Sequence, residues 1–250
     1  MTRATTLGRI VHQLRQPGVS TVVVYAAALA CVPLAFAVYW PTLGDYFLRD
    51  DFNVLRVARN RPFWEVIYRA FTYPEFEPFD EVTLAWRPLT DIYFLGARMF
   101  GLHPEPYHAV NILLHGLVGT LTIVFVWRLT ASAASGVAAG LLFTVTPTYD
   151  FAVTWVSQVS EMFGALMILS ALLVYLRYLR AGSPRALYVI ATLIFTMLAL
   201  LSKQSNVILV VLLPALALAL PAEQMRRSRP EIVRSLVPVA VMGVIFALAM

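Results

Sequence analysis

The stretch YFLRDDFNVL, residues 46–55, sets two adjacent carboxylates, Asp50 and Asp51, a few residues beyond a long apolar run. A carboxylate there can act as general base or metal ligand. It can also cap the helix patterned from Phe52 by accepting a backbone N–H, a part that suits Asp51, whereas Asp50 lies one residue too early. YHAVNILLH puts His108, Asn111 and His115 at spacings of three and four, on one helical face. Seven residues of helix rise about 10 Å, so the two imidazoles do not reach one ion unaided; hydrogen bonding between helices is the plainer use of such groups. Lys203, the sole lysine, interrupts an apolar stretch that otherwise runs from Leu187 to Leu220. It marks either a plain turn between two spans or an ammonium poised for a phosphate on a lipid carrier. Glu161, four residues after Ser157, falls at the same depth as Lys203. Arg87, which opens an amphipathic segment with Asp91, can clamp a phosphate bidentately or contact lipid headgroups.

The elements that position these groups follow from composition. Of 250 residues, 60% are hydrophobic and 13% charged, and the mean hydropathy is +0.74. A soluble domain holds ~45–50% apolar and ~25% charged residues, so an ordinary globular domain is excluded. The apolar runs are long and continuous rather than alternating, which predicts helices and not a barrel. The fold class expected is all-α: a polytopic membrane helical bundle of about seven spans, near 18–40, 106–128, 133–150, 157–179, 186–202, 205–221 and 235–250. Arg3, Arg9 and Arg15 ahead of the first run, with Ala35-Phe36-Ala37 after it, imitate a signal peptide, but an apolar core of about twenty residues is long for one. The last run has no polar flank at Met250, and a fragment of a longer chain is expected. The single cysteine, Cys31, permits no intrachain disulfide.

Charge sets the orientation. With the N-terminus cytoplasmic, the inner segments hold eleven of the 19 basic residues, Arg128, Arg177, Arg180, Arg226 and Arg234 among them, and two of the 14 acids, Glu223 and Glu231. A net charge of +5 is therefore a membrane-side bias and not a nucleic-acid footprint. Asp50 and Asp51 face outward, on a long extracytoplasmic loop, residues 41–105. Within it, NRPFWEVIYRAF offers Phe63, Ile67, Ala70 and Phe71 on one face against Glu65 and Arg69. RPLTDIYFLGARMFGL is likewise amphipathic through Leu89, Ile92, Phe94, Leu95 and Met99. Both read as helices lying in the interface plane, with the acid-rich 73–82 between them irregular. The loop would lie as a lid over whatever the membrane helices bind.

In order along residues 40–215, the blocks DDFNVLRVARN, WRPLTDIYFLGARMFGLHPEPYHAVNILLH, TPTYDFAVTWVSQVSEMFGALMILSALLVY and LLSKQSNVILVVLLP resemble the GT-C-fold glycosyltransferases. The nearest branch is the polyprenyl-phosphate-sugar-dependent protein O-mannosyltransferases, which often carry C-terminal tetratricopeptide repeats. The resemblance implies an acidic pair early in the first outer loop, matched by Asp50 and Asp51. It implies an Arg-Pro-Leu-Thr block, matched from Arg87 to Thr90, and a His-x-x-Asn-x-x-x-His block, matched by His108, Asn111 and His115. The Trp-Val-Ser element matches Trp155 to Ser157, with Gln158–Val159 in place of the usual Gly-Arg. The Ser-Lys-Glu element has Gln204 in place of its acid.

The activity implied is transfer of a sugar, mannose-like, from a polyprenyl-phosphate donor to a hydroxyl of a protein or glycolipid acceptor, with inversion, on the outer face of a bacterial inner membrane. Such chemistry needs a base for the hydroxyl and cations for the phosphate. Asp50 is the expected base, Lys203 and Arg87 the phosphate ligands, and His108 and Asn111 the pocket lining, with His115 and Glu161 in support. No cofactor or metal is expected, since a monophosphate lipid leaving group has no obligatory need of one. The rivals are a same-fold enzyme acting on a lipid or envelope glycan, a lipid-sugar transporter, which would show inverted repeats and broken helices, and a non-catalytic membrane subunit. The orientation is directly testable. In a Cys31→Ser background, a cysteine introduced at Asn60 should react with an impermeant thiol reagent in intact cells, and one at Ser228 only after lysis. The reverse pattern would reject the outward assignment of the acids.

Overall fold

The computed structural model describes residues 17–72, 86–146, 150–182 and 186–248. The described residues form eleven α-helices and no strand. In chain order they are α1 (Pro17–Tyr39), α2 (Asp50–Asn60), α3 (Phe63–Thr72), α4 (Pro88–Ala97), α5 (Pro104–Thr130), α6 (Ala133–Val145), α7 (Asp150–Thr154), α8 (Val159–Arg180), α9 (Ala186–Ser202), α10 (Leu209–Ala219) and α11 (Arg229–Leu248). Four of them, α1, α5, α8 and α11, are long and apolar enough to cross a membrane, and the chain is an integral membrane protein. Three shorter apolar helices, α6, α9 and α10, fall on the stretches expected as the other spans and are below the length of the four. α6 stops at Val145 with Thr146 extended, short of the boundary expected at 150. Arg3, Arg9, Arg15 and Arg185 and the acid-rich 73–82 lie outside the described residues.

Local sequence explains where the helices stop. Ala131 takes a left-handed conformation (φ 57°) and returns its N–H to Trp127 O, closing α5. Ser132 then caps α6 by accepting from Ser135 N at 3.2 Å, so α5 and α6 form a tight antiparallel pair. The N-terminal end of α11 is closed by Ser228 and Glu231, the carboxylate accepting from Ser228 N and Oγ at 2.8 Å each. α8 carries Glu161 in its first turn and Arg177 and Arg180 in its last, each sign matching the helix dipole at its end.

Small residues let the membrane helices approach closely, since lipid tails supply no hydrophobic drive for helix association. Gly116 of α5 lies against the α1 backbone, where an added Cβ would fall 2.6 Å from Val32 Cα. Gly140 of α6 faces Gly119 of α5, where an added Cβ would lie 2.6 Å from the Gly119 carbonyl. Thr120 Oγ1 donates to Ala28 O at 2.7 Å across the α1–α5 contact. On the other side of α5, the helices α8, α9, α10 and α11 share a core built on Leu172, Tyr175, Leu179, Ala199, Leu213 and Val239.

The segment between α1 and α5 folds as α2, α3 and α4. α2 begins at Asp50, earlier than the pattern from Phe52, so Asp51 lies inside its first turn and does not cap it. The cap position belongs to Arg49, whose φ of 40° is strained for a side chain with a Cβ. α3 buries Val66 and Ala70; of the apolar face expected there, Phe63 and Phe71 are exposed, as are Trp64 and Tyr68. In α4, Thr90, Phe94, Leu95 and Ala97 are buried, and Met99 beyond it is exposed. A second core, Phe47, Val54, Leu55, Phe94, Tyr107, Val156 and Met162, fastens this layer to α5 and α8.

The α5–α6 approach yields a stability test. Gly140→Ala should lose roughly 1–3 kcal/mol, because its methyl meets a backbone carbonyl that cannot swing away. Gly96→Ala, in α4 with nothing within 4 Å of the added Cβ, should be neutral or slightly stabilising. Thermal unfolding of the two purified variants in one detergent checks the contrast; equal midpoints would refute the close-packing argument.

Candidate active site

The carboxylate of Asp51 is buried, with 1% of its surface exposed. One oxygen, Oδ2, accepts from Leu48 N at 2.9 Å, three residues back in the chain. The other, Oδ1, accepts from Ser157 N at 2.7 Å, on the 3₁₀ turn that leads into α8. The C-terminal end of α2 is held separately. Arg98 donates through Nε to Ala58 O and through Nη2 to Arg61 O, both at 2.5 Å, answering carbonyls that a helix end leaves unpaired. α2 is therefore fixed at both ends. Burial pushes the Asp51 carboxyl above its ordinary pKa, while the Leu48 and Ser157 hydrogen bonds and the nearby His108 ring pull it down. Asp50, one residue earlier, is half-buried.

The first turns of α5 grip both sides of this junction. His108 Nε2 lies 3.0 Å from Asp45 O; a carbonyl only accepts, so this nitrogen carries the proton. Asn111 Nδ2 donates to Val153 O at 3.2 Å and to Trp155 O at 3.0 Å, tying down the connection from α7 into α8. His115, two turns deeper, serves a different contact. Its Nε2 meets Thr144 O of α6 at 3.1 Å, and its ring lies edge-on to Tyr39 and stacked on Phe143. His115 is thus a packing and hydrogen-bonding link between helices, apart from the His108–Asn111 pair.

Glu161 pairs with the Nζ of Lys203 across α8 and the α9–α10 junction. Lys203 holds an extended backbone (φ −161°, ψ 141°) between α9 and a 3₁₀ turn, Gln204–Ile208, and this break brings its side chain to the start of α8. The pair opens onto a cavity of about 490 Å³ lined also by Phe143, Phe151, Gln158 and Met162. Arg87 does not line that cavity. It stands half-buried at the start of α4, beside Trp86, which packs on Phe246 of α11. Trp86 and Phe246, with Met197, Leu200 and Val241, line a separate, apolar cavity of about 600 Å³ between α9 and α11.

Several buried polar atoms around this junction have no hydrogen-bond partner among the described residues: Thr90 Oγ1, Tyr93 OH, His108 Nδ1, Asn111 Oδ1, Trp155 Nε1 and Ser160 Oγ. Buried polar groups are ordinarily paired, so such a set fits a site that meets a polar ligand. Burial raises the Tyr93 phenol well above its ordinary pKa, keeping it a neutral O–H donor. Among the described residues no three His, Cys, Asp or Glu side chains gather closely enough to share a metal ion.

The structure thus joins Asp51, His108, Asn111, Glu161 and Lys203 around residues 153–161. Sequence reasoning overlooked the partners that do the joining. Ser157 acts through its amide and Asp45 through its carbonyl, neither of which has a side-chain signature, although Trp155–Ser157 stood inside a matched block. Tyr93 carried no pattern that singled it out, and Gln158 stood out only as a departure from the usual Gly-Arg.

Known proteins give an independent comparison. The chain is 31% identical over 195 residues to protein O-mannosyl-transferase Tmtc2 of Drosophila melanogaster, covering 72% of this chain and 20% of that protein. Drosophila melanogaster Tmtc1 is 28% identical over 201 residues, 77% of this chain and 23% of its own. Human TMTC2 is 28% identical over 157 residues, 61% and 19% respectively. The chain spans about a fifth of the length of these relatives. No protein-family model and no solved structure matches it.

The buried carboxylate predicts a stability signature. Asp51→Ala leaves two amide donors unanswered and should cost about 1–3 kcal/mol for each that stays buried; Asp51→Asn keeps one acceptor and should cost less. The folded pKa of Asp51 lies above its ordinary ~3.9, so its contribution is full below that value and is lost as pH rises through the folded value. As pH rises above the ordinary carboxylate value, the wild-type midpoint should fall relative to that of Asp51→Asn. Parallel curves would show that burial does not shift this group.

Proposed function

The chain is a distant homologue of the TMTC protein O-mannosyl-transferases, and from that relation we propose that it is a GT-C-type membrane glycosyltransferase. It moves a mannose-like sugar from a polyprenyl-phosphate donor to a protein serine or threonine hydroxyl on the extracytoplasmic side, with seven helices in the membrane. The observation that carries this reading is the bond from Ser157 N to Asp51 Oδ1. It ties the carboxylate pair to the start of α8, whose first turn bears the Glu161–Lys203 ion pair. The reading takes its base and its phosphate-binding cation from this one junction.

In the proposed reaction the acceptor oxygen attacks the anomeric carbon, its proton passes to Asp50, and the bond from that carbon to the phosphate oxygen breaks with inversion. Asp50 is given the base role because it is half-buried at the start of α2, whereas both oxygens of Asp51 are engaged. Asp51 is then a positioning residue. The departing lipid phosphate is held by Lys203, which exchanges Glu161 for the donor phosphate on binding. Arg87, next to Trp86 on the wall of the apolar cavity, reaches the same phosphate while the cavity takes the isoprenoid tail. His108 Nδ1, Asn111 Oδ1, Trp155 Nε1 and Tyr93 OH, unpartnered within the described protein, answer the sugar hydroxyls.

The test incubates membranes containing the full chain with labelled polyprenyl-phosphate sugars and follows donor loss and acceptor labelling. Asp50→Asn should lower transfer by about 10²–10⁴-fold with an unchanged thermal midpoint, and Asp51→Asn should be milder. Lys203→Ala should weaken donor use strongly and Lys203→Arg retain part of it, since the charge survives while the geometry changes. Wild-type turnover in Asp50→Asn would exclude it as the base. Movement of the donor across the membrane with no covalent product would replace the transferase reading by a transporter.

A further inference from the structure

At the end of α8 opposite Glu161, three arginines converge on one cavity of about 280 Å³: Arg128 of α5, and Arg177 and Arg180 of α8, with Leu173, Leu176 and Tyr188 completing its wall. The sixteen residues from Glu161 to Arg177 span about 24 Å of helix, so this cavity is separate from the candidate active site. Arg180 is held in place, its guanidinium donating to Arg128 O at 2.5 Å, to Leu129 O at 3.4 Å and to Gln224 Oε1 at 2.5 Å. Arg128 lies flat over Trp127, 4.4 Å from its ring centroid. Arg177 is exposed. No acid lines the cavity, and among the described residues none of the three guanidiniums has a carboxylate partner.

Three like charges held together without a counter-charge repel one another unless an anion joins them. Guanidinium groups suit phosphate above other anions because their forked N–H donors match its oxygens. The leucines in the same wall give the site an apolar side, which a free phosphate would leave unused and an acyl chain would cover. The cavity also lies at the last turn of a membrane-length helix, the depth of a lipid headgroup. We propose that this cavity binds the phosphate of an anionic phospholipid, whose acyl chain runs along Leu173 and Leu176. The proposal does not rest on the transferase reading and would hold for a chain with no catalytic activity.

The experiment reconstitutes the full chain in nanodiscs of phosphatidylcholine alone or with phosphatidylglycerol, and reads the thermal midpoint together with the lipid that stays bound after transfer to detergent. Arg128→Gln/Arg177→Gln is the test variant; Arg180 is left intact because it holds the end of α5. Arg226→Gln/Arg234→Gln removes the same charge from exposed positions outside the cavity. Phosphatidylglycerol should raise the wild-type midpoint and co-purify with it. The test variant should lose most of both effects, the charge-matched control should keep them, and millimolar inorganic phosphate should not reproduce them. Arg177→Gln alone, which disturbs no hydrogen bond among the described residues, should lose part of the shift if the double variant does not fold. An unchanged shift in the cavity variants, an equal loss in the control, or a full shift with inorganic phosphate would each overturn the assignment.

Discussion

A buried carboxylate holding two pieces of main chain is the constraint on which the half of this molecule around α2, α3 and α4 depends. Asp51 is removed from water, and two amide donors, Leu48 N and Ser157 N, with the Ser157 side chain, stand in for its hydration. Burial alone disfavours the charge. What the arrangement supplies is position: a residue at the start of α2 and a residue 106 positions later, on the turn before α8, are brought to 2.7 Å. An apolar side chain of the same volume would fill the space and leave the two strands of main chain free to slide past each other.

The rest of the layer formed by α2, α3 and α4 is built around that fixed point. Arg98 holds the other end of α2 through carbonyl oxygens, and Tyr107, fully buried on α5, donates to Ala97 O and Gly101 O and so fastens the end of α4. His108 and Asn111, one turn apart on α5, then meet the two loops that flank the site. Each of these contacts joins a side chain to main-chain carbonyls at helix ends or in the connecting segments, where no further turn of helix answers them. The side chains of α5 thus replace, for the loops, the hydrogen bonds that the helices supply for themselves.

α8 connects two chemically different ends. Its first turn holds Glu161 against Lys203, and its last turn holds Arg177 and Arg180. Both placements agree with the helix dipole, and between them the helix buries Ala171, Leu172 and Tyr175 in the common core of α9, α10 and α11. The break between α9 and α10 has the opposite character: the extended Lys203 interrupts the helix, and its ammonium is turned toward α8 because the main chain there is not helical.

The sequence by itself determined the membrane character, the helical class and the positions of the long apolar helices, because hydropathy over about twenty residues is a property of the chain alone. The caps at Ser132 and at Ser228–Glu231 are equally local, cap and partner lying three residues apart, although the last span was expected from 235 and α11 begins at Arg229. Several features were decided only by tertiary structure. Asp51 was legible as an acid before a helix, but its partner lies 106 residues away and contributes an amide that every residue except proline possesses. The Glu161–Lys203 pair spans 42 residues and depends on how α8 and α9 pack. His108 and His115 share a helical face in sequence, yet one meets Asp45 and the other Thr144, since seven residues of rise put them at different levels of the bundle. A pattern of side chains fixes what lies on one helix; which main-chain groups come to meet it is settled only when the helices pack.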